Sequence, residues 1–265
     1  MRVSVPGGEL FVRVDAGPTA DAPVLLLSNS LAADYTMWDP QIPLLTSRYK
    51  VVRYDTRGHG QSDAPAGDYS FAMLVDDARA VLDHVGVARA SYMGLSLGGM
   101  TGLGFALTYP ERLDRLVVCD ARADNPPPFV KSWDDRLAAI DAGGLAAILA
   151  GTLDRWLVPS FRAARPDVVA RVEAMILATS PVGYRGCAAA LKRLDYAKDL
   201  GRITTPTLYV VGAEDAGAPP AVMRAMADAT PGADFALIDH AAHLPNLDNE
   251  AGFAAAITSF LGLGR

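Results

Sequence analysis

The stretch Ala90-Ser91-Tyr92-Met93-Gly94-Leu95-Ser96-Leu97-Gly98-Gly99 decides the fold. It begins with four residues typical of a buried strand and continues into a helix-length run of small and apolar residues that ends before Pro110. Between the two lies Gly94-Leu95-Ser96-Leu97-Gly98, the G-x-S-x-G pattern of a sharp strand-to-helix turn. Both flanking positions are glycine because such a turn leaves no room for side chains there. The pattern predicts that Ser96 stands above the edge of a sheet.

Short apolar or β-branched runs of strand length recur along the chain, with amphipathic helix-length stretches such as Phe71–Val85 between them. This alternation predicts an α/β fold with a mostly parallel sheet that helices cover on both faces. With an opening hairpin over Val3–Val14, we expect eight strands. The six that follow the hairpin are predicted at Val24–Ser28, Lys50–Tyr54, Ala90–Met93, Leu113–Cys119, Thr207–Gly212 and Asp234–Ile238.

The alternation of predicted strands and helices stops between about Asp124 and Asp195. This segment contains no convincing strand, and its helical patterns cover Ser132–Ala142, Gly144–Leu157 and Pro166–Thr179. A helical cap inserted between two strands of the sheet is the simplest interpretation. We therefore expect residues 1–123 and 196–265 to form the core and residues 124–195 to form the cap.

Composition and charge exclude several classes of protein. The chain has 265 residues, 51% of them hydrophobic and 20% charged, as in an ordinary globular protein. Its formal net charge of −6 repels polyanions, so no nucleic-acid partner is expected. No uncharged apolar run approaches the ~20 residues of a membrane helix, and the first ten residues lack the layout of a signal peptide. We expect a cytoplasmic monomer or homodimer without a membrane partner, with Cys119 and Cys187 as buried thiols.

A serine hydroxyl becomes a useful nucleophile only beside a base, which is most often histidine. The chain has four histidines, and His240 and His243 both follow the last predicted strand, where the base belongs. We favour His243, because the additional residues let its loop reach back over the sheet edge, and we expect His240 to anchor that loop. His59, in a turn after a strand, is expected to form a structural hydrogen bond, and His84, late in a helix, is expected to be partly exposed.

The third catalytic member must accept a hydrogen bond from the imidazole and fix its tautomer. Asp215 lies just past the strand Thr207–Gly212, which gives the chain order serine, acid, histidine. Its neighbour Glu214 and Asp120, which follows the preceding strand, remain alternatives.

An oxyanion that forms during attack by Ser96 needs backbone N–H donors. The residue after the nucleophile, Leu97, supplies one of them at the N-terminus of a helix. The second is expected from Leu31, in the loop Asn29-Ser30-Leu31-Ala32 after the first parallel strand.

Nearly end to end, the chain resembles the 3-oxoadipate enol-lactonases of the α/β-hydrolase superfamily. The resemblance implies an α/β-hydrolase fold and a serine hydrolase that cleaves a lactone or ester in aromatic catabolism through an acyl-enzyme, with no metal or other cofactor. Two features depart from the family pattern: Ala32 stands where glycine is usual, and Asp120–Pro128 is longer and more polar. The resemblance rests on Leu27–Leu31, Met37–Gln41, Tyr54–Gly60, Gly94–Gly99, Ser132–Arg136, Pro181–Cys187 and Ala241–Leu244.

The lactone implied by this resemblance carries a carboxylate, so the pocket is expected to supply a cation. The stretch from Ala121 to Asp195 contains ten lysines and arginines against eight carboxylates, which is compatible with an anionic substrate. We expect Arg136 to bind the anion and Trp133 and Tyr184 to line the pocket, with packing inside the cap as the alternative for the two aromatic residues.

Two further functions remain open at this point. A broader carboxylesterase would use the same three catalytic residues on short esters, with halide oxidation of the haloperoxidase type as a side activity. A ligand receptor on a hydrolase scaffold would bind a small molecule without turnover.

Overall fold

The computed structural model describes residues 1–264, whose eight strands all belong to one sheet. Strand β1 pairs antiparallel with β2 and β2 pairs antiparallel with β4, while every other pairing is parallel. The order across the sheet is β1-β2-β4-β3-β5-β6-β7-β8. The strands are β1 Arg2–Val5, β2 Gly8–Asp15, β3 Val24–Ser28, β4 Lys50–Tyr54, β5 Ala90–Leu95, β6 Leu113–Cys119, β7 Thr207–Gly212 and β8 Asp234–Ile238.

Strands β3, β5 and β7 are buried along their whole length, which shows that helices cover both faces of this sheet. Short 3-10 helices cover Tyr35–Gln41, Pro110–Arg112 and Ala197–Arg202. The predicted mostly parallel eight-stranded sheet is confirmed. The α-helices are α1 Ile42–Leu45, α2 Phe71–His84, α3 Leu97–Thr108, α4 Pro127–Gly143, α5 Ala146–Trp156, α6 Pro159–Ala164, α7 Pro166–Ala178, α8 Pro181–Leu191, α9 Pro220–Ala229, α10 Pro245–Asp248 and α11 Glu250–Leu261.

Five consecutive helices, α4 to α8, stand between β6 and β7 in the chain. The sequence predicted three of them. It did not predict α6 and α8, which begin at Pro159 and Pro181; proline is well suited to the first position of a helix, where its missing N–H costs nothing. The division at residues 124–195 into core and cap stays a prediction.

Helix α8 is held against the segment between β4 and α2 by backbone contacts. Ser180 N donates to Gly58 O at 3.1 Å, and Tyr69 N donates to Gly186 O at 3.0 Å. A Cβ on Gly58 would lie 2.2 Å from the Cα of Gly183, so the two glycines allow the turn after β4 and the start of α8 to touch directly.

Cys119 and Cys187 are both free and buried. None of the helices within residues 1–264 has the length and apolar character needed to cross a bilayer.

Candidate active site

The carboxyl ends of the parallel strands meet at one edge of the sheet, and the candidate catalytic residues follow those ends. Ser96 comes directly after β5, Asp120 after β6, Asp215 three residues after β7, and His243 in the loop after β8. Because neighbouring parallel strands end side by side, residues far apart in sequence are brought to one place. The structure places Ser96, Asp215 and His243 in the lining of one cavity.

Ser96 occupies a strained turn. Its φ of 55° and ψ of −114° lie in a region that residues with side chains rarely adopt. A Cβ on Gly94 would lie 2.3 Å from the backbone of Gly98, and one on Gly98 would lie 2.3 Å from Ser28 O. The turn is fixed by a hydrogen bond from Ser96 N to Cys119 O at 2.8 Å. The G-x-S-x-G pattern is therefore required by close approach on both sides of the serine.

His243 and Asp215 form a direct pair. The distance between His243 Nδ1 and Asp215 Oδ2 is 2.8 Å, and both side chains are buried or nearly so. Gly217 N donates to the other carboxylate oxygen, Asp215 Oδ1, at 2.7 Å. Burial alone would raise the pKa of Asp215, but the charge and hydrogen bond of His243 hold it below its ordinary value. Asp215 is thus an ionised acceptor that orients the imidazole.

The other candidate histidines and the neighbouring glutamate lie elsewhere. His240 and Glu214 are exposed, and neither lines the cavity. His84 is exposed at the end of α2. His59 is buried with its Nδ1 3.1 Å from Arg57 O, and burial lowers its pKa to about 4. Asp120, the remaining alternative acid, is buried close to the pair formed by His243 and Asp215.

Two backbone N–H groups are available near Ser96. Leu97 is the first residue of α3, so its N–H has no acceptor within the helix. The Leu31 N–H donates no hydrogen bond to any group within residues 1–264, and Leu31 lines the cavity. These are the two donors that the sequence predicted for an oxyanion hole.

The loop that carries Leu31 is braced by Asn29, which is fully buried. Asn29 Nδ2 donates to Tyr54 O at 2.9 Å, and Asn29 Oδ1 accepts from Trp38 Nε1 at 3.0 Å. Asn29 O in turn accepts from Gly98 N at 3.0 Å, which ties this loop to the first turn of α3. The two predicted oxyanion donors are therefore held in one hydrogen-bonded unit.

The cavity has a volume of about 320 Å³, and helices between β6 and β7 supply one of its walls. Trp133, Arg136 and Tyr184 all line it, where the sequence predicted them. The Arg136 guanidinium lies 4.2 Å from the centre of the Trp133 ring, and the Trp133 and Tyr184 rings lie 6.3 Å apart. The two aromatic residues pack against each other and also contact the cavity, so both interpretations of them apply.

Two further arginines line the cavity that the sequence did not single out. Arg122 pairs with Asp124 at 2.8 Å. Arg155, on α5, lies near Arg136, and burial followed by the charge of Arg136 lowers the pKa of Arg155. Neither Arg136 nor Arg155 forms an ion pair with a carboxylate in the described part of the chain. The excess of lysines and arginines between Ala121 and Asp195 was the signal in the sequence for these two residues, but it does not show which face of a helix an arginine occupies.

The loop that carries His243 is bonded to the helices of the cavity wall. Leu244 N donates to Trp156 O at 3.0 Å. Asp248 accepts from Ala242 N at 2.8 Å and from Val158 N at 3.1 Å, so it bridges this loop and the segment after α5.

Asp120, Asp215 and His243 are also the group of potential metal ligands in residues 1–264 whose ligand atoms lie within 4.8 Å of one another. A metal at this point would have to replace the hydrogen bond between His243 Nδ1 and Asp215 Oδ2. The arrangement suits an acid and base pair better than a metal centre.

The sequence of this chain is similar to those of known hydrolases. Residues 23–250 match the alpha/beta hydrolase fold family. The protein 3-oxoadipate enol-lactonase 2 of Acinetobacter baylyi is 36% identical over 196 residues, which cover 74% of this chain and 73% of that protein. RutD of Caulobacter sp. (strain K31), which bears the name of a carbamate hydrolase, is 32% identical over 258 residues, with 95% of each chain covered.

The fold also matches solved structures closely. The crystal structure of the enol-lactonase from Burkholderia xenovorans LB400 superposes with a TM-score of 0.95 and 33% sequence identity, and the alignment covers 99% of this chain and 100% of that one.

Proposed function

The chain belongs to the alpha/beta hydrolase fold family and is an enol-lactonase-like hydrolase, and we propose that it opens the ring of 3-oxoadipate enol-lactone as a serine hydrolase. The predicted α/β-hydrolase fold and the predicted family resemblance are both confirmed by these similarities. The observation that carries the proposal is one cavity that contains Ser96, the pair of His243 and Asp215, and two arginines without a carboxylate partner among the described residues.

In the proposed first step, His243 Nε2 takes the proton of Ser96 as Oγ attacks the lactone carbonyl. The N–H groups of Leu31 and Leu97 stabilise the oxyanion. The bond between the carbonyl carbon and the ring oxygen then breaks, and the imidazolium protonates that enol oxygen. Because the substrate is cyclic, the leaving group stays attached to the acyl chain on Ser96, where the enol tautomerises to a ketone.

In the second half of the reaction, His243 takes a proton from water, which attacks the ester on Ser96. Collapse of the tetrahedral intermediate returns the proton to Ser96 Oγ and releases 3-oxoadipate. Asp215 stays ionised throughout and stabilises each imidazolium that forms. No cofactor takes part in this scheme.

Substrate recognition is assigned to the part of the cavity wall that carries Arg136 and Arg155. A carboxylate bound by Arg136 and Arg155 would offset the repulsion between these two like charges, which lie near each other and near Tyr184. Charge-assisted hydrogen bonds to guanidinium groups are worth about 1.5–3 kcal/mol each in net terms. The pocket therefore favours an anionic lactone over a neutral ester of the same size.

The test compares hydrolysis of 3-oxoadipate enol-lactone with that of short p-nitrophenyl esters. The native chain should hydrolyse the lactone with much the higher kcat/KM, and Ser96→Ala should lose about 10⁴-fold or more in kcat for both. Ser132→Ala is the matched control, because Ser132 lines the same cavity and its hydroxyl donates to Phe129 O. Good ester turnover with little lactone turnover would instead indicate a general carboxylesterase, and binding without turnover would indicate a receptor.

A second reaction, carbamate hydrolysis, is favoured by the similarity to RutD over almost the whole of both chains. A carbamate carbonyl would be attacked by the same three residues, but a small carbamate needs no paired arginines. The same assay with a carbamate substrate separates the two: carbamate turnover that exceeds lactone turnover and is unaffected by Arg136→Gln would replace the first proposal.

A further inference from the structure

Asp120 is a buried carboxyl group for which the proposed reaction has no role. It follows β6 with a φ of 46°, and its exposed fraction is 0%. Its Oδ1 accepts a hydrogen bond from Gly212 N at 2.9 Å. Its Oδ2 is also buried, yet that oxygen has no hydrogen-bond partner of its own among residues 1–264. A buried polar atom without a partner is costly, which calls for an explanation.

The surroundings of Asp120 are acidic. A carboxylate oxygen of Asp120, a carboxylate oxygen of Asp215 and a ring nitrogen of His243 lie within 4.8 Å of one another. Asp248 adds a further negative charge nearby. No lysine or arginine pairs with Asp120 in the described chain. Two carboxyl groups this close in a buried site do not both ionise at neutral pH.

The proton of this pair belongs on Asp120. Asp215 already accepts hydrogen bonds from His243 Nδ1 and Gly217 N, which favour its ionised form. Among residues 1–264, Asp120 accepts one, from Gly212 N. In agreement, burial and the charge of Asp215 raise the pKa of Asp120 well above its ordinary value.

We propose that Asp120 is a positioning residue that carries a proton on Oδ2 and donates a hydrogen bond to the carboxylate of Asp215. This inference rests on the proposed function of Asp215 and His243. The donated hydrogen bond adds a contact that holds the Asp215 carboxylate in place and satisfies the otherwise unpartnered Oδ2 of Asp120. It also leaves a single negative charge facing His243. A second charge would stabilise the imidazolium and hinder its return of the proton to the leaving oxygen.

Asp120→Asn and Asp120→Ala test the proposal through the pH dependence of kcat/KM. Asparagine keeps an acceptor for Gly212 N and a neutral donor for Asp215, so kcat/KM should stay within about threefold of the native value and the midpoint of the acid limb should not move. Alanine removes a hydrogen bond to a charged group, so kcat should fall by about 10–100-fold with little change in KM.

Two outcomes would overturn the inference. An acid-limb midpoint that falls by about one unit or more in Asp120→Asn would show that the native enzyme carries a negative charge there, since its removal would make His243 less basic. A fully active Asp120→Ala would show that the hydrogen bond positions nothing.

Infrared difference spectra between the native protein and each variant give a readout that does not depend on turnover. At pH 8 the native protein should show the carbonyl band of a protonated carboxylic acid, which Asp120→Asn lacks and the control Asp248→Asn retains. An unchanged band in Asp120→Asn would contradict the proposal even if the enzyme acts on a different substrate. A protein with the band but without any hydrolytic activity would contradict only the proposed function.

Discussion

At the scale of single residues, the site depends on conformations and charges that are unfavourable in isolation. The backbone of Ser96 is in a region that costs about 1–3 kcal/mol, and Arg136 and Arg155 lie near each other with no ion pair to a carboxylate among residues 1–264. Asp215 is ionised although it is buried. Each of these costs is offset by the surrounding structure, as is common where function requires a fixed geometry.

Asp215→Asn should lower kcat by about 10⁴-fold, because an amide cannot hold the imidazole in the tautomer that accepts the serine proton. Circular dichroism should show an unchanged fold. Glu214→Gln is the matched control, since Glu214 is adjacent in sequence but exposed, and its kcat should equal the native value. Equal losses in the two variants would contradict the assignment of Asp215.

Arg155→Gln and Arg136→Gln should each raise KM for the enol-lactone about 10–100-fold, because each removes one charge-assisted contact to the substrate carboxylate. Neutral p-nitrophenyl esters should be hydrolysed almost as by the native enzyme. Lys131→Gln serves as control, because Lys131 is exposed on α4 and pairs with Asp135. If lactone and ester turnover decline together, these arginines support the cavity wall and do not select the anion.

At the scale of elements, the critical junction is the one between β3, β5 and α3. The loop after β3 and the first turn of α3 are joined by the hydrogen bond from Gly98 N to Asn29 O, and the backbones approach so closely that no side chain fits at Gly98. The geometry of the two predicted oxyanion donors is thus set by backbone packing between elements.

Gly98→Ala should reduce the free energy of unfolding by about 1–3 kcal/mol and lower kcat, because its Cβ would lie 2.3 Å from Ser28 O and must displace the loop that carries Leu31. Chemical denaturation and steady-state kinetics measure the two effects. In Gly201→Ala the nearest atom to the new Cβ is 3.9 Å away, so both quantities should stay near native values. Unaltered kcat in Gly98→Ala would argue against Leu31 as an oxyanion donor.

At the scale of the whole molecule, stability depends on pH through Asp55, a buried carboxyl group that does not line the cavity of Ser96 and His243. Asp55 accepts hydrogen bonds from Tyr35 N and Gln61 N, both at 2.8 Å, and burial raises its pKa from 3.8 to about 6. Since the pKa is raised in the folded state, the contribution of protonated Asp55 is complete below about pH 4 and is lost as the pH rises through 6.

The native chain should therefore lose about 2 kcal/mol of unfolding free energy between pH 4.5 and pH 7.5 that Asp55→Asn does not lose. Urea denaturation of both proteins at the two pH values gives this difference. Asp21→Asn, at an exposed position, should follow the native curve. A constant gap between native and Asp55→Asn would mean that Asp55 is ionised throughout this range.

The strands were the most predictable part of the molecule, because a strand buried on both faces must be a continuous apolar run. Five of the six predicted parallel strands have the observed bounds, and only β5 extends further, to Leu95. That Ser96 and His243 line one cavity follows from the topology, because both come after the ends of parallel strands. The position of Arg155 in the cavity wall did not follow from the topology, because it depends on how α5 is rotated against the cavity. Nor did the protonation of Asp120, which depends on the distance between two carboxyl groups on adjacent strand ends.

The bonds from Leu244 N to Trp156 O and from Val158 N to Asp248 join the histidine loop to the wall of the pocket. This has a consequence for engineering by recombination. A chimera that received the α4 to α8 segment of another hydrolase would also receive a new backbone path for the groups that hold the loop of His243. Substrate range and the placement of His243 are therefore not independent in this chain, and a graft that keeps the backbone path through residues 156–158, without a proline at position 158, has the better prospect of remaining active.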